Sequence, residues 1–374
     1  MTTTPSLEVL EDLITTTVGP AAAEVDRTGT FPRTSIDALL AAGFGGLISA
    51  LEVGGQGAGF AEAAAVVRRI SAACGSTAMV YAMHLAAVGA IEELGPIDVR
   101  TAVAEGRHLS TLAFSEQGSR SQFWATLSTA TAEGDDVVLD ASKSWVTAAG
   151  EADSYVWTSR PIAADGPSTL WLVPSTTPGL KVAAPFDGFG LRGNASSPVT
   201  AIGARLPRSA MLGADGAGLD LALTHVLPWF QVVNAAASLG LCDAALDAAI
   251  GHLTTTRLEH LDQTLAEQPV PRHRLGALLV QRDAASTLLD DAAAALSAGR
   301  PDAPLRMLAV KAMASETALT VTGEAMRLAG GAAFRHDVGL DRHLRDARAG
   351  AVMGPTTDAL YDMLARAVCG LPLL

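Results

Sequence analysis

The chain has 374 residues, 49% of them apolar and 17% charged, which suits large cores and argues against a disordered or low-complexity protein. Its formal net charge of −13 at pH 7 would repel a phosphate backbone or an anionic bilayer, so neither nucleic acid nor membrane is expected as a partner. Three scattered cysteines, Cys74, Cys242 and Cys369, form no C-x-x-C pair; they argue against a disulfide framework or a metal site and fit a reducing compartment.

The first residues lack a basic start and carry acids where a signal peptide is apolar, so a cytoplasmic location is expected. From residue 5 to about 106 the chain is Ala- and Leu-rich with apolar residues three and four apart, which predicts an N-terminal helical domain over 1–107. From about 108 to 213 β-branched and aromatic residues rise, alternation appears and Gly, Pro and Asp interrupt every eight to twelve residues. That texture predicts a small antiparallel β domain over 108–215. Long periodic stretches at about 219–257, 271–298, 304–328 and 355–368 then predict a C-terminal four-helix bundle over 216–374. Helices, strands and helices again in that order make an α+β assembly, not a doubly wound sheet. Two uncharged runs, 70–91 and 221–242, are long enough to span a bilayer. The first contains His84 and the second Pro228, Gln231 and Asn234, so helices buried among other helices are expected.

Several short motifs fall within this frame. Gly43-Phe44-Gly45-Gly46 is followed by Gly54-Gly55-Gln56-Gly57; Phe114-Ser115-Glu116-Gln117-Gly118-Ser119-Arg120-Ser121 forms a polar loop; Lys143-Ser144-Trp145-Val146-Thr147 reads as a strand. Gly190-Leu191-Arg192, Leu239-Gly240, Gly330-Gly331 and Arg345-Asp346 follow. In this order and spacing, over nearly the whole chain, they resemble the acyl-CoA dehydrogenase superfamily. The loop matches its T-E-P-x-x-G-S-D and the strand its K-x-W-I-T, whereas the R-x-x-F-G motif is replaced by Arg257-Leu258-Glu259-His260-Leu261.

The resemblance implies a flavoprotein oxidoreductase holding FAD. It places Trp145 behind the flavin ring, Thr147 at the ring's edge, and Phe114, Ser115 and Ser121 in the loop beside it. Arg257, Gly330 and Gly331 are implied contacts to a cofactor, and Thr356 resembles the threonine of the C-terminal E-G-T motif. Each also has a plain structural reading. Trp145 reads as a half-buried strand aromatic, Ser115 and Ser121 as turn residues, Arg257 as a surface arginine, the glycine pair as a helix end and Thr356, after Pro355, as a helix start. A homo-dimer or homo-tetramer is implied, with an electron-transfer flavoprotein or a flavin reductase as redox partner.

Dehydrogenation of an acyl thioester needs a carboxylate to take the α-proton while the flavin accepts hydride. The family keeps that glutamate in one of two places, which correspond here to Gly354 and to Phe230, and neither can accept a proton. Three readings follow. The base has moved, with Glu116, His84, His225 and Asp358 as candidates; or the chain is a reduced-flavin-dependent monooxygenase, which needs no α-carbon base; or it is a non-catalytic flavin-binding or assembly scaffold. Glu116 also reads as a buried structural carboxylate and the two histidines as packed helix residues. Dehydrogenation of a CoA-bound or carrier-bound acyl thioester is the leading expectation.

Overall fold

A computed structural model describes residues 6–120 and 122–373. Helix α1 (Leu7–Leu13), whose Val9 N–H is capped by the Ser6 hydroxyl, runs through a π-turn into α2 (Gly19–Thr28), and α3 (Arg33–Leu39) follows. Helices α4 (Phe60–Ala73) and α5 (Gly75–Leu94) meet at Cys74, whose extended backbone breaks what would otherwise be one helix; α6 (Ile97–Ala104) ends the region. Every residue of α5 from Gly75 to Ile91 is buried, so the first uncharged run is not one helix but the end of α4 and the core helix α5.

The strands form two four-stranded sheets. One is ordered β1 (Ser110–Ala113), β4 (Ser154–Ser159), β5 (Thr169–Pro174), β8 (Met211–Leu212); the other is β2 (Thr129–Glu133), β3 (Asp136–Val146), β7 (Ser197–Pro207), β6 (Leu180–Val182). The pairing is antiparallel except between β1 and β4, which run parallel and are joined by a crossover through β2 and β3 of the other sheet, not by a hairpin. Alternation along β4 shows why all six of its residues are buried. Tyr155 and Trp157 enter the core between the sheets, and Val156 turns to the helices.

The C-terminal region differs from expectation in number. A short α7 (Gly218–Leu221) leads through a π-turn into α8 (Leu227–Thr255), a small hairpin pairs β9 (Arg257–Leu258) with β10 (Gln263–Thr264), and α9 (Pro269–Ser297), α10 (Ala303–Ala329), α11 (Leu340–Val352) and α12 (Thr357–Val368) follow. The unexpected long element is α11. Its sequence, LDRHLRDARAGAV, hides a narrow buried stripe of Leu340, His343, Asp346, Ala347 and Gly350 among four other charged side chains, too polar to be read as a core helix. The stretch Gly218–Thr255 is long and apolar enough to cross a bilayer, and 72% of its apolar window is buried. It packs on α4, α5, α10 and α11. Gly240 sets the α4 approach, since a Cβ there would lie 2.2 Å from the Arg68 carbonyl oxygen.

Candidate active site

A cavity of about 380 Å³ lies between the β domain and the C-terminal helices. Its β-domain wall comes from the segment after β1, the end of β3 and the loop before β7; its helical wall from the start of α8, the end of α11 and the turn Met353-Gly354-Pro355, with Met83 of α5. Every side chain on the helical wall is apolar, and the polar side chains, Ser115, Ser144, Thr147, Arg192, Asn194 and Ser196, all stand on the β-domain wall.

The end of β3 shows how local folding makes this wall. The register against β7 slips between Lys143 and Val146, a bulge that keeps both of those side chains buried while Ser144 and Trp145 turn to the cavity. Trp145 sits at φ 56° and is 63% exposed, its ring 4.2 Å from that of Phe186. Among the described residues six non-glycine residues have positive φ, and four of them, Trp145, Ala148, Leu191 and Ala195, line or flank this cavity. Unfavourable backbone gathered in one place marks a shape that the surroundings impose, as at functional sites. Asn194 ties the wall together: its carbonyl accepts from Ala148 N–H at 2.9 Å and its Oδ1 from Ser196 N–H at 3.0 Å. From behind, Asp346 of α11 accepts the Leu191 N–H at 2.6 Å, and burial raises that carboxyl to about 6.

The cavity brings together Phe114, Ser115, Trp145 and Thr147, and with them both positions where the resemblance expected a glutamate, Phe230 and Gly354. It does not include Arg257, which is exposed and paired with Asp262, nor the exposed Gly330 and Gly331. Thr356 also lies outside the lining, its hydroxyl capping α12 at Ala359 N–H. Ser121 is outside the described residues. Phe186, Asn194 and Ser196 were not read as site residues; the only signal near them was the Gly190-Leu191-Arg192 motif.

None of the four candidate bases lines the cavity. Glu116 is saturated: it pairs with Lys143 Nζ at 2.6 Å and accepts from Leu127 N–H, Ser128 N–H and the Ser128 hydroxyl. Burial opposes its charge, yet the Lys143 ammonium and these donors hold its carboxyl below the usual range. It is a structural carboxylate joining the loop to β3. His84, fully buried, is lowered to about 4 by burial and is used between the Gly45 carbonyl and Ser110 N–H. His225 is half-buried in the turn leading into α8, and Asp358 is exposed in the first turn of α12. Arg192 is the single charged lining residue among the described residues, and it is already bound to the Asp26 carbonyl, Asp187 and the Gly188 carbonyl.

The residues present fit the ring system of a flavin. The Trp145 and Phe186 rings, inclined at 31°, offer an aromatic surface, and the Ser115 and Ser144 hydroxyls have no intramolecular hydrogen-bond partner among the described residues. The Thr147 hydroxyl has only a long 3.5 Å contact to Ser196. Comparison with known proteins points the same way. Residues 7–105, 111–201 and 216–369 match the N-terminal, middle and C-terminal domains of acyl-CoA dehydrogenase. The chain is 28% identical over 350 residues to human mitochondrial short-chain specific acyl-CoA dehydrogenase, covering 91% of this chain and 84% of that protein. It is 27% identical to the probable acyl-CoA dehydrogenase YngJ of Bacillus subtilis (strain 168), covering 96% of each. The structure of butyryl-CoA dehydrogenase from Megasphaera elsdenii superposes with a TM-score of 0.91 at 23% identity, over 97% of each chain.

Proposed function

The chain belongs to the acyl-CoA dehydrogenase family and is an FAD-dependent oxidoreductase, and from that premise we propose that it oxidises an acyl thioester by α,β-dehydrogenation. The observation that supports this reading is the division of the cavity: a polar, aromatic wall suited to a flavin ring faces an apolar wall suited to an acyl chain. FAD supplies the hydride acceptor. Trp145 and Phe186 back the ring, and Ser115, Ser144 and Thr147 offer hydroxyls to its polar edge. Val226, Leu227, Phe230 and Val352 exclude water around the acyl carbons. The electrons leave to an electron-transfer flavoprotein. In a homo-dimer or homo-tetramer, Arg257 and the Gly330-Gly331 pair serve the cofactor of a second copy.

One observation favours a second reading. Among the described residues the lining holds no carboxylate and no histidine, which suits a reduced-flavin-dependent monooxygenase, where no α-carbon proton has to be taken and a flavin reductase is the partner. The two readings separate when FAD-loaded protein is mixed anaerobically with a panel of acyl-CoA and acyl-carrier thioesters. The dehydrogenase reading expects one of them to bleach the oxidised flavin band and to yield the enoyl product. No bleaching by any thioester, with a flavin–oxygen adduct formed on the protein when reduced flavin is supplied, would overturn it in favour of the monooxygenase.

A further inference from the structure

The chain contains three lysines, Lys143, Lys181 and Lys311, and it buries two of them, Lys143 at 1% and Lys311 at 0% exposure. Lys143 has its counter-ion in Glu116. Among the described residues Lys311, on α10, has no carboxylate within 4.0 Å. Its Nζ donates instead to the Met353 carbonyl at 2.9 Å and to the Pro355 carbonyl at 2.7 Å, and lies 5.9 Å from the centre of the Phe230 ring. One buried amine therefore touches both neighbours of Gly354 and faces Phe230, the two positions at which the expected carboxylate is missing.

The surroundings of Lys311 are polar but uncharged. Both amide atoms of Gln231, Oδ1 of Asn234 and the Ser315 hydroxyl are buried without partners, and Asn234 Nδ2 reaches only the Met353 sulfur at 3.7 Å. Gln231 and Asn234 lie one turn apart on α8, as Lys311 and Ser315 do on α10, so a seam of spare hydrogen-bonding capacity runs under the helical wall. Several charges on the helices packed against α10 have partners of their own, while His343 of α11 is buried with its Nδ1 unpartnered. On α8, Asp243 holds Arg68 and Arg282; on α9, Arg274 holds Glu324 of α10 itself; on α11, Asp346 holds the Leu191 N–H and Arg345 pairs with Asp26 and Asp341; on α12, Asp358 is in solvent. An ammonium has three N–H groups and finds two acceptors here, whereas a neutral amine uses two donors and keeps a lone pair. Burial alone lowers this group to about 7.

We propose that Lys311 is the positioning residue of the helical wall: its amine clamps the carbonyls on either side of Gly354, and its proton sets the charge beneath the cavity. This rests on the flavin site of the reading above and not on the identity of the substrate. Charge that builds up in the cavity is then answered by proton uptake at Nζ, outside the cavity surface.

Two measurements test it. In flavin-free protein carrying 15N-labelled lysine and glycine, the Lys311 Nζ signal should titrate near neutral pH and the Gly354 amide should shift with the same midpoint, a response lost in Lys311→Met. In FAD-loaded protein the reduction potential, followed from pH 6 to 9, should change slope near that midpoint by up to tenfold per pH unit, about 30 mV for two electrons, and Lys311→Met should abolish the break. A Gly354 amide indifferent to the lysine's titration, or an unchanged break in the variant, would overturn the proposal. Should Lys311→Met fail to fold, Lys311→Gln, which keeps two donors without the charge, carries the same comparison. Wild-type protein that binds no FAD would sink the flavin reading, and the flavin-free titration would still decide the role of Lys311.

Discussion

The β-domain wall of the cavity carries all of its polar side chains, its exposed tryptophan and its strained backbone, while the helical wall carries only apolar side chains and a glycine. The difference teaches where chemistry can originate. Hydroxyls and a flat ring on one side can hold and orient an extended polar ring system, and the other side can exclude water but cannot itself take a proton. Two buried ionisable groups lie behind the cavity surface, Lys311 behind the helical wall and Asp346 behind Leu191 of the β-domain wall, and both are shifted by burial.

The largest effect expected from disturbing this arrangement lies outside the cavity. Glu116→Gln removes the counter-ion of a fully buried lysine and should cost about 3–5 kcal/mol of stability, seen as a lowered thermal midpoint. Burial lowers Lys143 to about 8 even with Glu116 beside it, and without the carboxylate its charged form has less support still. The folded protein that remains should keep its flavin chemistry, because Glu116 does not line the cavity. If Glu116→Gln abolished thioester-driven bleaching while the fold and bound FAD persisted, the assignment of Glu116 as structural would be wrong and the base would lie on the β-domain side.

The next effect probes the β-domain wall directly. Trp145→Ala removes the stacking face and should weaken FAD binding by about 2 kcal/mol, roughly 30-fold in Kd. Phe230→Ala on the opposite wall should leave FAD affinity within about threefold while altering substrate affinity, a difference of well under 1 kcal/mol for the cofactor. Fluorescence titration of FAD into both variants checks the contrast, and equal losses would erase the distinction between the walls.

How much of this was legible in the sequence follows the same division. Lys143-Ser144-Trp145-Val146-Thr147 and the Phe114-Ser115-Glu116 loop are contiguous, so their chemistry could be read before the fold was known, and the three-part architecture followed from texture alone. The bulge was not legible, because it depends on the register with β7, more than 50 residues away. Lys311 and the turn around Gly354 stand 42 to 44 residues apart and meet only through the packing of α10. Helix α11 was missed because its buried stripe is narrow and its other faces are charged. Local motifs reveal one wall; the other is assembled by tertiary contacts.

A smaller effect crosses between the walls. Asp346 belongs to α11 but holds Leu191 of the β-domain wall, and its folded pKa is raised from 3.8 to about 6. A raised carboxyl adds no penalty below its unfolded pKa, and the penalty grows as pH rises toward the folded value. Asp346→Asn keeps the acceptor without the charge. It should match wild type at pH 4 and exceed it at pH 8 by about 1–2 kcal/mol. Thermal midpoints at the two pH values check the sign, and a variant less stable than wild type at pH 8 would show the ionised carboxylate to be needed at Leu191.

Gly354→Glu sharpens the comparison most and should change activity least. It places a carboxylate on the helical wall, at a position that the resemblance associates with the base. The turn that carries it is fixed from behind, with Lys311 holding the carbonyls of residues 353 and 355, while Pro355 restricts the backbone on one side. A glutamate there would have to find its orientation without the turn relaxing, and its charge would enter a wall with no polar side chain of its own. The expected gain in thioester-driven bleaching is therefore below about tenfold, under 1.4 kcal/mol of barrier. A gain of several hundredfold would mean that the helical wall is a dehydrogenase wall lacking one side chain. A small gain would instead mean that the wall is organised around the amine beneath it, and combining Gly354→Glu with Lys311→Met should then raise the bleaching rate above that of either variant alone.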